Sequence, residues 1–202
     1  VVEIFGTTSA FAALKSDGSV VTWGYWSNGH TAHNSYNLGG GDLGSDVVEI
    51  FTTDDAFAAL KTDGSVVAWG HNFYGADTSS VDSDLSSDVV EVYANRGVFA
   101  ALKSDGSVIV WGTGSGSDAS SVSSDLTSGV VKIFTSEYAF AALKSDGSVV
   151  TWGGMDDGTG NAGDSSSVSS ELTSDVVHIY SSKKAFAALK TDGSVVTWGG
   201  GL

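Results

Sequence analysis

Short apolar runs alternate with polar turns in a frame that recurs five times. It reads Val-Val-x-Ile-Phe, a four-residue polar tip, Ala-Phe-Ala-Ala-Leu-Lys, Ser/Thr-Asp-Gly-Ser, then Val-Val-Thr-Trp-Gly, with conservative changes between copies. The copies begin at Val1, Val47, Val89, Val130 and Val176, at spacings of 46, 42, 41 and 46 residues. The first run, as in Val1-Val2-Glu3-Ile4-Phe5, is β-branched and aromatic, which is strand composition. Residues 10–15 alone resemble helix composition, but Asp17-Gly18 follows them and decides for a strand. Asp-Gly between two apolar runs signals a hairpin, because Gly accepts the positive φ of a tight turn. The pair recurs at Asp63-Gly64, Asp105-Gly106, Asp146-Gly147 and Asp192-Gly193. The third run alternates and ends in Trp, so each unit is predicted to be a three-stranded antiparallel meander.

Both faces of such a sheet carry apolar side chains, and stacking neighbouring sheets face to face buries both. Repeats of this length built from short strands point to an all-β propeller, or an open propeller arc, of five blades. The units are 1–46, 47–88, 89–129, 130–175 and 176–202, within one repeat domain over 1–202. Trp23, Trp69, Trp111, Trp152 and Trp198 are expected to act as wedges between blades, since an aromatic side chain brings roughly 150–250 Å² to such a contact. Polar connectors join the units. Those starting at Asp77, Asp118 and Asp164 place Val and Leu four apart after Ser/Thr, which suits a capped single helical turn or a compact loop.

The run Leu14-Lys15-Ser16-Asp17-Gly18-Ser19-Val20-Val21-Thr22-Trp23-Gly24, with its four counterparts, resembles the signature of the regulator-of-chromosome-condensation repeat family. Asn37-Leu38-Gly39-Gly40-Gly41 is similar to that family's glycine-rich close. Thr127-Ser128-Gly129-Val130-Val131-Lys132-Ile133 looks more like the secreted bacterial branch that includes a proteinaceous β-lactamase inhibitor. The resemblance covers all five frames and implies a β-propeller that binds proteins through one rim. Family propellers usually have seven blades. Five units leave open a five-bladed ring, an open arc, a piece of a longer array, or closure between subunits.

Net charge is −15, and the chain has no Cys and no Pro. Disulfides and thiolate metal sites are therefore excluded. The frame lysines Lys15, Lys61, Lys103, Lys144 and Lys190 each precede an Asp by two positions, which leaves Arg96, Lys132, Lys183 and Lys184 as the remaining basic residues. Nucleic acid is not expected as a partner, because a phosphate backbone needs a cluster of cations. No apolar run approaches the ~18 residues of a membrane span. The acidity suits solubility in a salty or extracellular setting, and an extracellular or cell-surface location is expected. The opening Val, without a Met or leader pattern, reads as a processed form or a piece of a longer chain.

Function is sought in what differs between copies. Subtracting the frame leaves Tyr25, Trp26, Tyr36, Phe73, Tyr74 and Tyr138 among the aromatics, with His30, His33 and His71 beside the first five. Aromatic loop residues suit protein or sugar recognition, so Tyr25, Trp26, Tyr36, His71, Phe73 and Tyr74 form a candidate binding patch. The alternative is that these loops bury their own rings. The tips between the first and second runs also vary, and they run from acidic to basic along one predicted rim. Arg96, Tyr138, Lys183 and Lys184 lie there as further binding candidates, for recognition or for pairing one molecule with the next.

No catalytic constellation is found, and no cofactor is expected. His30 and His33 lack a carboxylate at fixed spacing. Asp156, Asp157 and Asp164 form a calcium candidate without the register of a helix-loop-helix site. The expected function is a non-enzymatic module for self-assembly or structural protein–protein contact, with a protein, copies of itself or a glycan as partner. The alternatives are recognition of a foreign partner through the first two connectors, and an enzyme-regulating propeller of the inhibitor or exchange-factor type.

Overall fold

The computed structural model describes residues 1–24, 43–113, 117–154 and 161–200. Among these residues, fifteen strands form five three-stranded antiparallel sheets, one per repeat. The blades are β1 (Glu3–Gly6), β2 (Ala10–Leu14) and β3 (Val20–Gly24); β4 (Val47–Thr52), β5 (Ala56–Lys61) and β6 (Val66–Gly70); β7 (Val89–Ala94), β8 (Val98–Lys103) and β9 (Val108–Gly112); β10 (Val130–Thr135), β11 (Ala139–Lys144) and β12 (Val149–Gly153); and β13 (Val176–Ser181), β14 (Ala185–Lys190) and β15 (Val195–Gly199). Ala10–Leu14 and its counterparts are strands, as the Asp-Gly turns require.

Period-two alternation gives each sheet two unlike faces. One presents small residues from the middle strand, such as Ala56, Ala58 and Leu60, with Val66 and Ala68. The other presents the phenyl and indole of the frame. The small face of the second blade meets Val92, Phe99, Ala101 and Trp111 of the third, with Leu85 of the connector sealed between them. The same set recurs at the other three joints, with Leu43, Leu126 and Leu172 in the connector position. Alanine on one side makes room for two large rings on the other. The rings are cross-strand partners, stacked at centroid distances of 5.1–5.5 Å in all five blades.

The expectation of five wedging indoles needs a correction. Trp69, Trp111, Trp152 and Trp198 are buried, but Trp23 is 42% exposed and its stacked partner Phe11 46%. Their face has no blade in front of it. At the opposite end, Val195 and Tyr180 are exposed and Ala187 and Leu189 half-buried, for the same reason. The five blades form an open arc with two uncovered ends.

Two lines of backbone hydrogen bonds tie blade to blade. In one, the Gly carbonyl of each Asp-Gly turn accepts from the amide that opens the next blade: Val47 to Gly18, Val89 to Gly64, Val130 to Gly106 and Val176 to Gly147. The approach is so close that a Cβ on Gly18, Gly64, Gly106 or Gly147 would lie 2.6–2.9 Å from the next blade's backbone. The entry residues Asp46, Asp88, Asp175 and Gly129 all adopt positive φ, which explains why Asp or Gly occupies this place.

The connectors form 3-10 turns rather than α-helical ones, at Asn72–Tyr74, Ser120–Val122 and Ser166–Glu171. Asp77, Asp118 and Asp164 each accept the amide two residues on; Asp118 and Asp164 do so just ahead of their 3-10 turns, whereas Asp77 opens a compact loop and follows the Asn72–Tyr74 turn, which His71 caps.

Candidate functional site

The second interblade line runs through the tips, and it divides their four positions into two kinds. The second position, Thr7, Thr53, Asn95, Ser136 or Ser182, turns its side-chain oxygen inward to accept the amide three residues on. Sequence comparison hides this role, because three residue types perform it. The third position is the one displayed: Thr8, Asp54, Arg96, Glu137 and Lys183. Each of the first four donates its amide to the carbonyl of the next, at 2.7, 2.9, 3.3 and 3.1 Å.

Alternating charge follows from this spacing. Arg96 pairs with Asp54 at 2.8 Å and Glu137 at 4.0 Å, and Lys183 pairs with Glu137 at 3.3 Å. Arg96 also donates to the Tyr138 hydroxyl and lies over its ring, 5.5 Å from the centroid. The hydrogen bond that it donates to Asp54, then that to Tyr138, raises the guanidinium pKa further. The expected gradient of tips is thus an internally paired row. Lys184 is half-buried behind it, its carbonyl accepting from Gly200 at 2.6 Å.

His71, Phe73 and Tyr74 lie on the same rim. The His71 amide donates to the carbonyl of Asp55, and the Thr53 hydroxyl donates to that of Tyr74 at 2.8 Å. The two candidate sites, separate in the sequence, therefore adjoin. Phe73 is 67% exposed, whereas Tyr74 packs on the core between the second and third blades. The His71 ring stands edge-on to both. Tyr25, Trp26, Tyr36, His30, His33, Asp156 and Asp157 lie outside the described residues. Asp164 serves as the cap on Ser166, and no group of three or more His, Asp or Glu converges among the described residues.

A further row was not singled out in the sequence, since it is hidden in a strand position whose charge varies between copies: Glu3, Glu49, Glu91, Lys132 and His178. The first strands of successive blades adjoin, so this row runs across the arc. Burial, then Glu91 and Glu3, raises the Glu49 carboxyl above the usual range. Burial and the Glu91 carboxylate, which accepts from its hydroxyl at 2.6 Å, raise Tyr93. Lys132 lies over the Phe134 ring, and His178 is edge-on to Phe134 and Tyr180. Acid thus gathers at the first-blade end and base at the last.

No family model matches the chain, and no curated protein matches it. Solved structures do match in fold. Yeast RCC1 (Prp20) bound to Kap60 aligns over 98% of this chain and 56% of its own, at 16% identity and a TM-score of 0.59. The fold is that of an RCC1-like β-propeller. Prp20p from Saccharomyces cerevisiae, studied for binding to Gsp1p and histones, covers 98% of this chain and 58% of its own at 16% identity and a TM-score of 0.55. The ectodomain of the Arabidopsis thaliana receptor kinase ACR4 gives 98%, 64%, 14% and 0.56 in the same order. The chain spans about three-fifths of the length of these propellers. No helix among the described residues is long and apolar enough to cross a membrane.

Proposed function

We propose that this propeller arc is a non-enzymatic interaction module, extracellular or on a cell surface, that works through the uncovered ends of its blade stack. One observation carries the reading: the stacked Phe11–Trp23 pair keeps the geometry of its buried counterparts, at 5.5 Å and 21°, yet stands in solvent. A soluble monomer seldom leaves so large an apolar face bare, and such faces mark protein contacts. The Ser-Gly-Val entry at Ser128-Gly129-Val130 and the net charge of −15 support placing the chain with the secreted bacterial branch. Prp20, of similar fold, was solved bound to the protein Kap60.

A second reading, recognition of a foreign protein or glycan at the rim, is favoured by the exposed Phe73 beside the paired charges of Arg96, Glu137 and Lys183. Photo-crosslinking separates the two. A crosslinking side chain placed at position 11 or 195 captures protein, and one at position 73 does not. The reverse pattern moves the function to the rim.

A further inference from the structure

We infer that a row of exposed valines, along the edge of the arc where first strands adjoin, docks an extended polypeptide segment with Lys or Arg at three alternate positions. This surface is separate from the bare ends and lies at the opposite end of the first strands from the tips, so the inference goes beyond both readings above. Val2, Val48, Val90, Val131 and Val177 hold the same place in the five first strands, and all are exposed. Val48, Val90 and Val131 are 50–53% exposed although each has a blade on both sides. The row is thus a property of the repeat, and a further blade would lengthen it rather than cover it. A β-bulge produces it. In the last four blades the register shifts between Val47 and Glu49, Val89 and Glu91, Val130 and Lys132, and Val176 and His178. The extra residue turns consecutive side chains outward, so Val48 stands beside Glu49 and Val90 beside Glu91. Bulges and charges guard a free sheet edge against stray pairing, but that purpose gives no reason to expose a valine in every copy.

Charge and spacing name the occupant. In the first three blades a carboxylate follows the valine: Glu3, Glu49 or Glu91. The three sit close enough that, after burial, Glu91 and Glu3 raise the Glu49 carboxyl. A Lys or Arg stem lying on the valine brings its cationic head to the carboxylate beside it. An anionic lipid surface is repelled by the same groups. In the last two blades Lys132 and His178 replace the carboxylate, and both lean on the Phe134 ring. They refuse a fourth cation, and Val131 and Val177 there suit apolar residues. Successive first strands approach within 8 Å at Cα. An extended segment repeats its side chains on one face every ~6.6 Å, so alternate residues keep step with the blades.

Fluorescence anisotropy with the labelled peptide Arg-Thr-Arg-Thr-Arg-Thr-Val-Thr-Val tests this. The peptide binds saturably, and an isomer with its three Arg placed together binds about tenfold more weakly. Glu49→Gln with Glu91→Gln, and Val48→Ser with Val90→Ser, each lower the affinity by about tenfold, the first pair through charge and the second through apolar contact. Asp82→Asn with Asp125→Asn makes the same change of net charge at exposed connector positions and leaves binding unchanged. Val48→Thr with Val90→Thr keeps the strand-forming shape and repeats the valine test if melting shows that the Ser pair does not fold. No binding, equal binding of the two isomers, full binding by the valine variants, or an equal loss in the connector variant overturns the inference. So does a valine variant that abolishes pairing between copies, or sedimentation with phosphatidylserine vesicles, in place of peptide binding, since each names another occupant.

Discussion

At the scale of single residues, the five turn carboxylates and Glu49 respond to acid with opposite sign. Asp17, Asp63, Asp105, Asp146 and Asp192 are held below their usual 3.8 by the hydroxyl and then the amide of the Ser two positions on. A lowered carboxyl contributes its full stability above pH 3.8 and loses it as pH falls through the folded value. Glu49 is raised above 4.5, so its ionised form costs stability at neutral pH, and protonation removes that cost. Denaturation between pH 2 and 7 should show the wild type weakening below pH 3.8. Glu49→Gln should be more stable at pH 7 by under about 1 kcal/mol, converging with wild type in acid. The turn aspartates were legible as a motif. The Glu49 row was not, because adjacency of first strands is a property of the stack and leaves no local mark in any one repeat.

At the scale of the element, the Asp-Gly turn carries two separable demands. Gly147 and Gly193 have almost the same backbone, φ +79° and +86°, but only Gly147 abuts the next blade, where an added Cβ would lie 2.7 Å from the Asp175 nitrogen. Ala at either place incurs left-handed strain of about 1–2 kcal/mol. Gly147→Ala should cost roughly 1–3 kcal/mol beyond Gly193→Ala, because the clash is with backbone that cannot swing aside. Urea titration of the two variants measures the difference. The hairpins themselves were readable from Asp-Gly and the alternation around it. The connectors were readable only as short capped turns, since Asp followed by Ser serves a 3-10 turn and an α turn alike. Tyr74 looked free in the sequence but rests on the core; Phe73, one residue earlier, does not.

At the scale of the whole molecule, blade identity was written plainly and blade closure was not. A repeat specifies which face meets which, and Trp23 has the same neighbours in sequence as its buried counterparts. Only the count and curvature of the stack decide whether something stands in front of it. Appending a further copy of residues 154–200 should therefore cover the Val195 face with a fifth equivalent joint. Melting should rise by several degrees, since about 1 kcal/mol corresponds to roughly 2–4 °C at this size. Equal melting would mean that the final face does not accept a blade. A row of matched joints has no preferred breaking point in its interior, and its outermost members are each gripped from one side only. Wear of any kind, whether heat, pulling or a protease, must then begin at the extremities and travel inward. Whatever remains at each stage is a shorter version of the same object, with both docking faces renewed.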